Sequence, residues 1–125
     1  MQLATLMINI DTHILLFELT GQATEREREL LSRNECGISA IVLWELAKLK
    51  QKRRISVDLS DSEVKRVLSD LRVWPVDIDV AVASTRLDFE SEPADELIAA
   101  TSVVHGVPLL TRDSTMLRST LVPLV

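Results

Sequence analysis

Residues 6–19 read LMINIDTHILLFEL. The apolar run Leu6–Ile10 has the length of a buried strand, it stops on the carboxylate Asp11, and a second apolar run starts at Ile14. Two demands could put an acid between segments that both seek burial. Asp is a favoured helix N-cap, and a carboxylate at a strand end is also where a parallel sheet presents its chemistry. The stretch alone leaves both readings open, so its pattern has to be sought elsewhere in the chain.

The pattern recurs. CGISA reads as a short strand followed by the helix IVLWELAKLKQKR, VWPVDID as a strand followed by VAVASTRL, and VPLLT and LVPLV as late strands. Between them lie the amphipathic segments TERERELLSR, DSEVKRVLSDLR (Ser60 or Asp61 as N-cap) and PADELIAATSVVH, the last closed by Gly106. Short apolar strands alternating with helices of this length predict an α/β fold, with a mostly parallel central sheet and helices on both faces. There are no repeats, low-complexity segments or Pro/Gly-rich linkers, so residues 1–125 are expected to form one domain.

Composition narrows the function classes. The chain has 125 residues, 46% hydrophobic and 26% charged, within the ordinary globular range. No apolar run nears the roughly 20 residues that span a bilayer, and MQLATLMINID shows neither a basic leader nor a small-residue cleavage site. A single cysteine, Cys36, permits no internal disulfide. These features together suggest a cytoplasmic protein without membrane contact. The net charge of −5 argues against an unspecific nucleic-acid coat. The segment KLKQKRR nevertheless gathers Lys48, Lys50, Lys52, Arg53 and Arg54 without an acid. Such a run is either a solvated helix face or, beside a phosphate-handling site, a set of phosphate contacts.

Four acids recur at structurally telling places. Asp11 ends the first strand, and Asp113 follows VPLLTR and ends a late one; either could cap the next helix. Glu45 shares a helical face with Ile41 and Leu49, and an ionised Glu in an apolar stripe is costly unless paired. Lys48 and Lys50 are its possible partners. Asp95 falls in the first turn of the helix begun by Pro93, with Glu92 at the N-cap and Glu96 beside it. If the four converged, two like charges about 4 Å apart would cost on the order of 4 kcal/mol at an effective dielectric near 20. Only a cation makes such a cluster sensible, and all-oxygen ligands select hard ions such as Mg²⁺ or Mn²⁺. Carboxylate sites of that kind commonly act on phosphates.

These segments resemble the PIN-domain ribonucleases, specifically the VapC-type toxins of bacterial toxin–antitoxin pairs. IDTHILLFEL is similar to the family's opening strand and Asp, SAIVLWELA to its Glu-bearing helix, and EPADELIAATSVVHGVPLLTRD to its closing signature. The resemblance covers nearly the whole chain. It puts Asp11, Glu45, Asp95 and Asp113 on the family's acidic metal positions, and Thr111 on the small hydroxyl beside the last acid. It implies a single PIN-like domain and Mg²⁺- or Mn²⁺-dependent endonucleolytic cleavage of RNA. It also implies a cognate antitoxin and a homodimer. Glu92 replaces a frequent aspartate and Glu96 a frequent arginine, departures that bear on substrate or partner contacts rather than on the reaction class.

In that scheme Asp11, Glu45 and Asp95 hold a first ion, and Asp113 completes that site or helps with a second. His13 and His105 are too few for a histidine-based site, and no phosphate-binding glycine loop exists among Gly21, Gly37 and Gly106. A receiver-type phosphorylation switch would need a lysine at the end of a late strand, and the chain has none after Lys65. The remaining alternative is a catalytically silent PIN-like module that binds RNA or protein.

Overall fold

Local signals in the chain set most element ends. The structure is a computed structural model describing residues 6–125; the first five residues of MQLATLMINID, over which no leader is expected, lie outside the described residues. Strand β1 (Met7–Ile10) leads into α1 (Thr12–Leu19), and α2 (Glu25–Arg33) follows. Thr24 and Glu27 satisfy each other's backbone N–H groups at the start of α2, a complete capping box. Strand β2 (Glu35–Ser39) runs into α3 (Ala40–Gln51), whose Ile41 N–H is capped by Ser39 Oγ. Then come α4 (Ser62–Ser69), capped by Asp61, β3 (Arg72–Trp74) and α5 (Ile78–Ser84), capped by Asp77. Helix α6 (Pro93–His105) begins with proline at N1 and stops at Gly106, whose φ of 63° suits a residue without Cβ. Strand β4 (Leu109–Leu110) and the short α7 (Ser114–Leu117) complete the order.

The four strands pair in the order β3-β2-β1-β4, all parallel. In β1 the consecutive Ile8, Asn9 and Ile10 are all buried. Successive side chains point to opposite faces, so both faces of the sheet are covered, as the sequence pattern predicts. Ile8, Ile38, Val42, Leu46, Ile98 and Leu109 belong to one continuous core. At mid-β2 a Cβ on Gly37 would meet the Trp74 ring at 2.6 Å, so glycine is what lets that indole lie across the strand. No helix among the described residues is long and apolar enough to cross a membrane.

Three expectations are corrected. VWPVDID is strand only at Val73 and Trp74: β3 ends before Pro75, which has no N–H for the ladder, and Ile78 and Asp79 open α5. LVPLV is not a strand: it contributes only an isolated bridge between Leu109 and Leu124, because Pro123 offers its carbonyl to Leu109 N–H but has no N–H for a ladder. VPLLT is strand only at Leu109–Leu110, so Asp113 stands three residues past the strand end.

The topology fixes where chemistry can occur. The chain moves from β1 outward to β2 and β3, then returns to place β4 on the other side of β1. That reversal makes the carboxyl ends of β1 and β4 the switch point, where open parallel sheets leave a crevice.

Candidate metal centre

Asp11 sits at that switch point, its backbone N–H bonded to Leu110 O of the neighbouring strand. It occupies the N-cap position of α1 yet makes no side-chain cap bond. Instead Oδ2 accepts a 2.6 Å hydrogen bond from Thr111 Oγ1, a residue 100 positions away. The residue is only 2% exposed, and Oδ1 is buried with no partner, one of two such oxygens among the described residues, the other being Asn9 Oδ1. A cap would have spent that lone pair on α1. Left uncommitted, it is available to a cation.

The other acids arrive on separate elements. Glu45, on the second turn of α3, accepts a 2.5 Å bond at Oε1 from Thr12 Oγ1. Asp95, in the first turn of α6, accepts at Oδ2 from Ser91 Oγ at 3.0 Å. Asn9 holds α6 in place by donating from Nδ2 to Ile98 O and Ser102 Oγ, at 3.0 and 2.9 Å. Asp113 caps α7 through Met116 N–H, and its own N–H donates to Thr111 Oγ1. Its capping reading is therefore correct, whereas that of Asp11 is not.

The acids feel one another. Burial foremost raises the pKa of Asp11, Glu45 and Asp95 above the usual carboxylate range. Like-charge repulsion adds to it: Asp113 acts on Asp11, Asp95 and Asp11 on Glu45, and Asp11 and Asp113 on Asp95. His13 partly opposes these shifts on all three. The three ion pairs among the described residues, Arg33–Glu29, Arg66–Glu63 and Arg112–Glu27, involve none of the four acids. Lys48 bonds Gln51 instead of Glu45, so the ion-pair reading of Glu45 does not hold. No three of the described His, Cys, Asp and Glu side chains are gathered tightly enough to grip one ion as they stand. A buried orphan oxygen, all-oxygen donors and the lack of a paired cation together fit a hard divalent ion.

Beside Glu45 lies a groove of about 610 Å³ lined by Trp44, Lys48, Leu49, Lys52 and Arg54 on one side and Glu92, Pro93 and Ala94 on the other. Of the basic run, Lys48, Lys52 and Arg54 reach this groove; Lys50 and Arg53 do not line it. Trp44, directly before Glu45 on α3, is 55% exposed. His105 stacks on Trp74 at 5.7 Å, His13 packs near Phe17, and Glu96 accepts from Ser91 N–H.

Sequence reasoning missed the hydroxyls of Thr12 and Ser91 and the Arg112–Glu27 pair. Thr12 adjoins Asp11 and Ser91 precedes Asp95 by one helical turn, so proximity to an acid was the available signal. Arg112 donates from Nε and Nη2 to Glu27 at 2.7 and 2.6 Å and lies 3.8 Å over the Phe17 ring. It pins the segment between Thr111 and Asp113 to α1 and α2.

Comparison with known proteins agrees with this architecture. The PIN domain family matches residues 8–120. Ribonuclease VapC22 of Mycobacterium tuberculosis is 34% identical over 84 residues, an alignment spanning 64% of this chain and 64% of that protein. Among solved structures, VapBC2 from Rickettsia felis bound to a DNA fragment from their promoter superposes with a TM-score of 0.74 at 17% identity, covering 96% of this chain and 98% of that one. A toxin–antitoxin complex from Klebsiella pneumoniae gives 0.69 at 21% identity, with 89% and 90% covered. At these identities the two structures establish likeness of fold.

Proposed function

Since the chain belongs to the PIN-domain family, we propose that it is a metal-dependent endoribonuclease and the toxin of a toxin–antitoxin pair. The observation that carries the reading is Asp11: a buried carboxylate at the switch point, with one oxygen uncommitted and no paired cation. Asp11, Glu45 and Asp95 would hold Mg²⁺ or Mn²⁺, with Asp113 completing the set. When bound, the ion supplies Lewis acidity that activates water and offsets charge on the scissile phosphodiester.

The chain's own residues do the positioning. Thr111, Thr12 and Ser91 each fix one oxygen of an acid, and ligands held in place need less reorganisation during reaction. Thr111 also ties Asp113 to Asp11 through the Asp113 N–H. Lys48, Lys52 and Arg54 in the adjacent groove would bind backbone phosphates and set the direction of the strand. Glu92 on the opposite wall would repel phosphates and narrow that path. Residues 1–125 form the nuclease domain in this reading, working in the cytoplasm as a homodimer that a cognate antitoxin silences.

The test is cleavage of a mixed RNA pool with Mg²⁺, with Mn²⁺ and with EDTA. Asp11→Asn, Glu45→Gln and Asp95→Asn should each lower the metal-dependent rate by orders of magnitude while circular dichroism stays native. Asp113→Asn should cost less. Growth arrest on expression in a bacterium should vanish with Asp11→Asn. RNA bound but never cleaved with either ion would favour the catalytically silent module instead.

A further inference from the structure

Burying an indole is among the largest hydrophobic gains open to a small protein, and the chain has only two tryptophans. Trp74 is buried against Gly37 and His105. Trp44, directly before Glu45 on α3, is left 55% exposed at the wall of the groove beside the acids. One turn further along the helix, Lys48 Nζ stands 6.0 Å from the ring centroid. Lys52 and Arg54 extend the same wall. An exposed aromatic face flanked by cations, in a groove that Glu45 also lines, combines the two elements that grip single-stranded nucleic acid: a stacking surface and a charged track.

We propose that Trp44 is a stacking platform for one unpaired base of the substrate, a binding residue that seats the adjoining phosphodiester beside Glu45. The proposal rests on the ribonuclease reading and adds a residue that positions the substrate. In a duplex every base face is already covered by its neighbours, and the indole gains nothing there. In a single strand one base can leave the stack, lie on Trp44, and bring the adjoining phosphodiester toward Glu45. Lys48, Lys52 and Arg54 hold the flanking phosphates. Lys48, Lys52 and Arg54 outnumber Glu45 and Glu92 in the lining, and that cationic excess along the Trp44 wall favours this polyanion over an uncharged apolar helix.

The experiment uses the full chain in the Asp11→Asn background and an unstructured ten-nucleotide RNA, the same strand annealed to its complement, and an abasic strand of equal charge. Trp44→Ala should weaken single-strand binding about 5–150-fold, the range spanned by one base stacked on an aromatic ring. Its salt slope should stay that of the parent, because the phosphate contacts remain. Duplex and abasic binding should change little, and Trp44→Phe should regain most of the loss. Single-strand RNA should also quench the exposed indole, a signal absent from Trp44→Ala because Trp74 is buried. Single-strand affinity within twofold of the parent in Trp44→Ala, or an equal loss with the abasic strand, overturns the proposal. Unchanged RNA binding with loss of a protein partner would make the groove a protein-docking surface and overturn it too. With Asp11 restored, cleavage of single strands unaffected by Trp44→Ala removes only the platform. No cleavage of any RNA by the parent removes the ribonuclease reading beneath it.

Discussion

Asp11→Asn separates a metal ligand from a helix cap. The native side chain is a charge at 2% exposure with one unpartnered oxygen, and it repels Glu45 and Asp95. An asparagine has the same shape, can still accept from Thr111, and carries no charge. Leaving a buried polar atom unsatisfied costs about 1–3 kcal/mol, more when charged, and the new amide still lacks one partner, so a net gain of about 1–2 kcal/mol is expected without metal. For a chain of this length that corresponds to a melting temperature roughly 4–8 °C higher in EDTA. With Mn²⁺ at about 100 times its Kd, mass action stabilises the wild type by about 2.7 kcal/mol, or roughly 10 °C. Asp11→Asn should keep only a small part of that shift, so the order of the two proteins reverses between EDTA and Mn²⁺. Thermal melts by circular dichroism across a Mn²⁺ series measure it. A wild type indifferent to Mn²⁺, or an Asp11→Asn protein destabilised in EDTA by the 0.5–2 kcal/mol typical of a lost cap, would refute the reasoning.

The Arg112–Glu27 pair predicts an acid-side loss of stability. Bonding to Arg112 lowers the Glu27 pKa from 4.5 to about 2. A folded-state pKa below the unfolded one gives stability that is present above about pH 4.5 and lost as pH falls toward 2. Because Arg112 is 40% exposed and screened, Glu27→Gln should cost about 1–2 kcal/mol at pH 7 rather than the full shift. Urea titrations should show the gap to wild type narrowing steadily below pH 4.5; a constant gap would deny the pair its role. In the groove, Lys52→Gln with Arg54→Gln should flatten the slope of log K against log salt by about 1.4 for single-stranded RNA, two phosphates' worth. Lys50→Gln with Arg53→Gln, which lie off the groove, should leave the slope unchanged, and equal effects from both pairs would mean that unspecific charge governs binding.

The sequence by itself determined whatever is encoded over a few neighbouring residues. The alternation of short apolar runs with helical periods specified a parallel α/β sheet, because burial on both faces leaves an uninterrupted apolar strand. Pro93 and Gly106 marked the ends of α6, because a fixed φ and a positive φ belong at those two places. The same local reading picked out the four acids through their neighbours. It overextended LVPLV, where Pro123 cannot donate to a ladder whose extent depends on a partner strand. Only the tertiary structure decided which of the acids caps its helix. Asp11 and Asp113 both precede helices, yet one caps and the other does not, because Thr111 arrives beside Asp11 from 100 residues away. Thr12 reaches Glu45 across 33 residues, and Arg112 reaches Glu27 across 85. Trp44 faces solvent because α3 turns Val42 and Leu46 to the core. Periodicity records which face of an element is buried; it does not record which distant chain segment the sheet order brings alongside, and the return of β4 past β1 is what sets Thr111 beside Asp11.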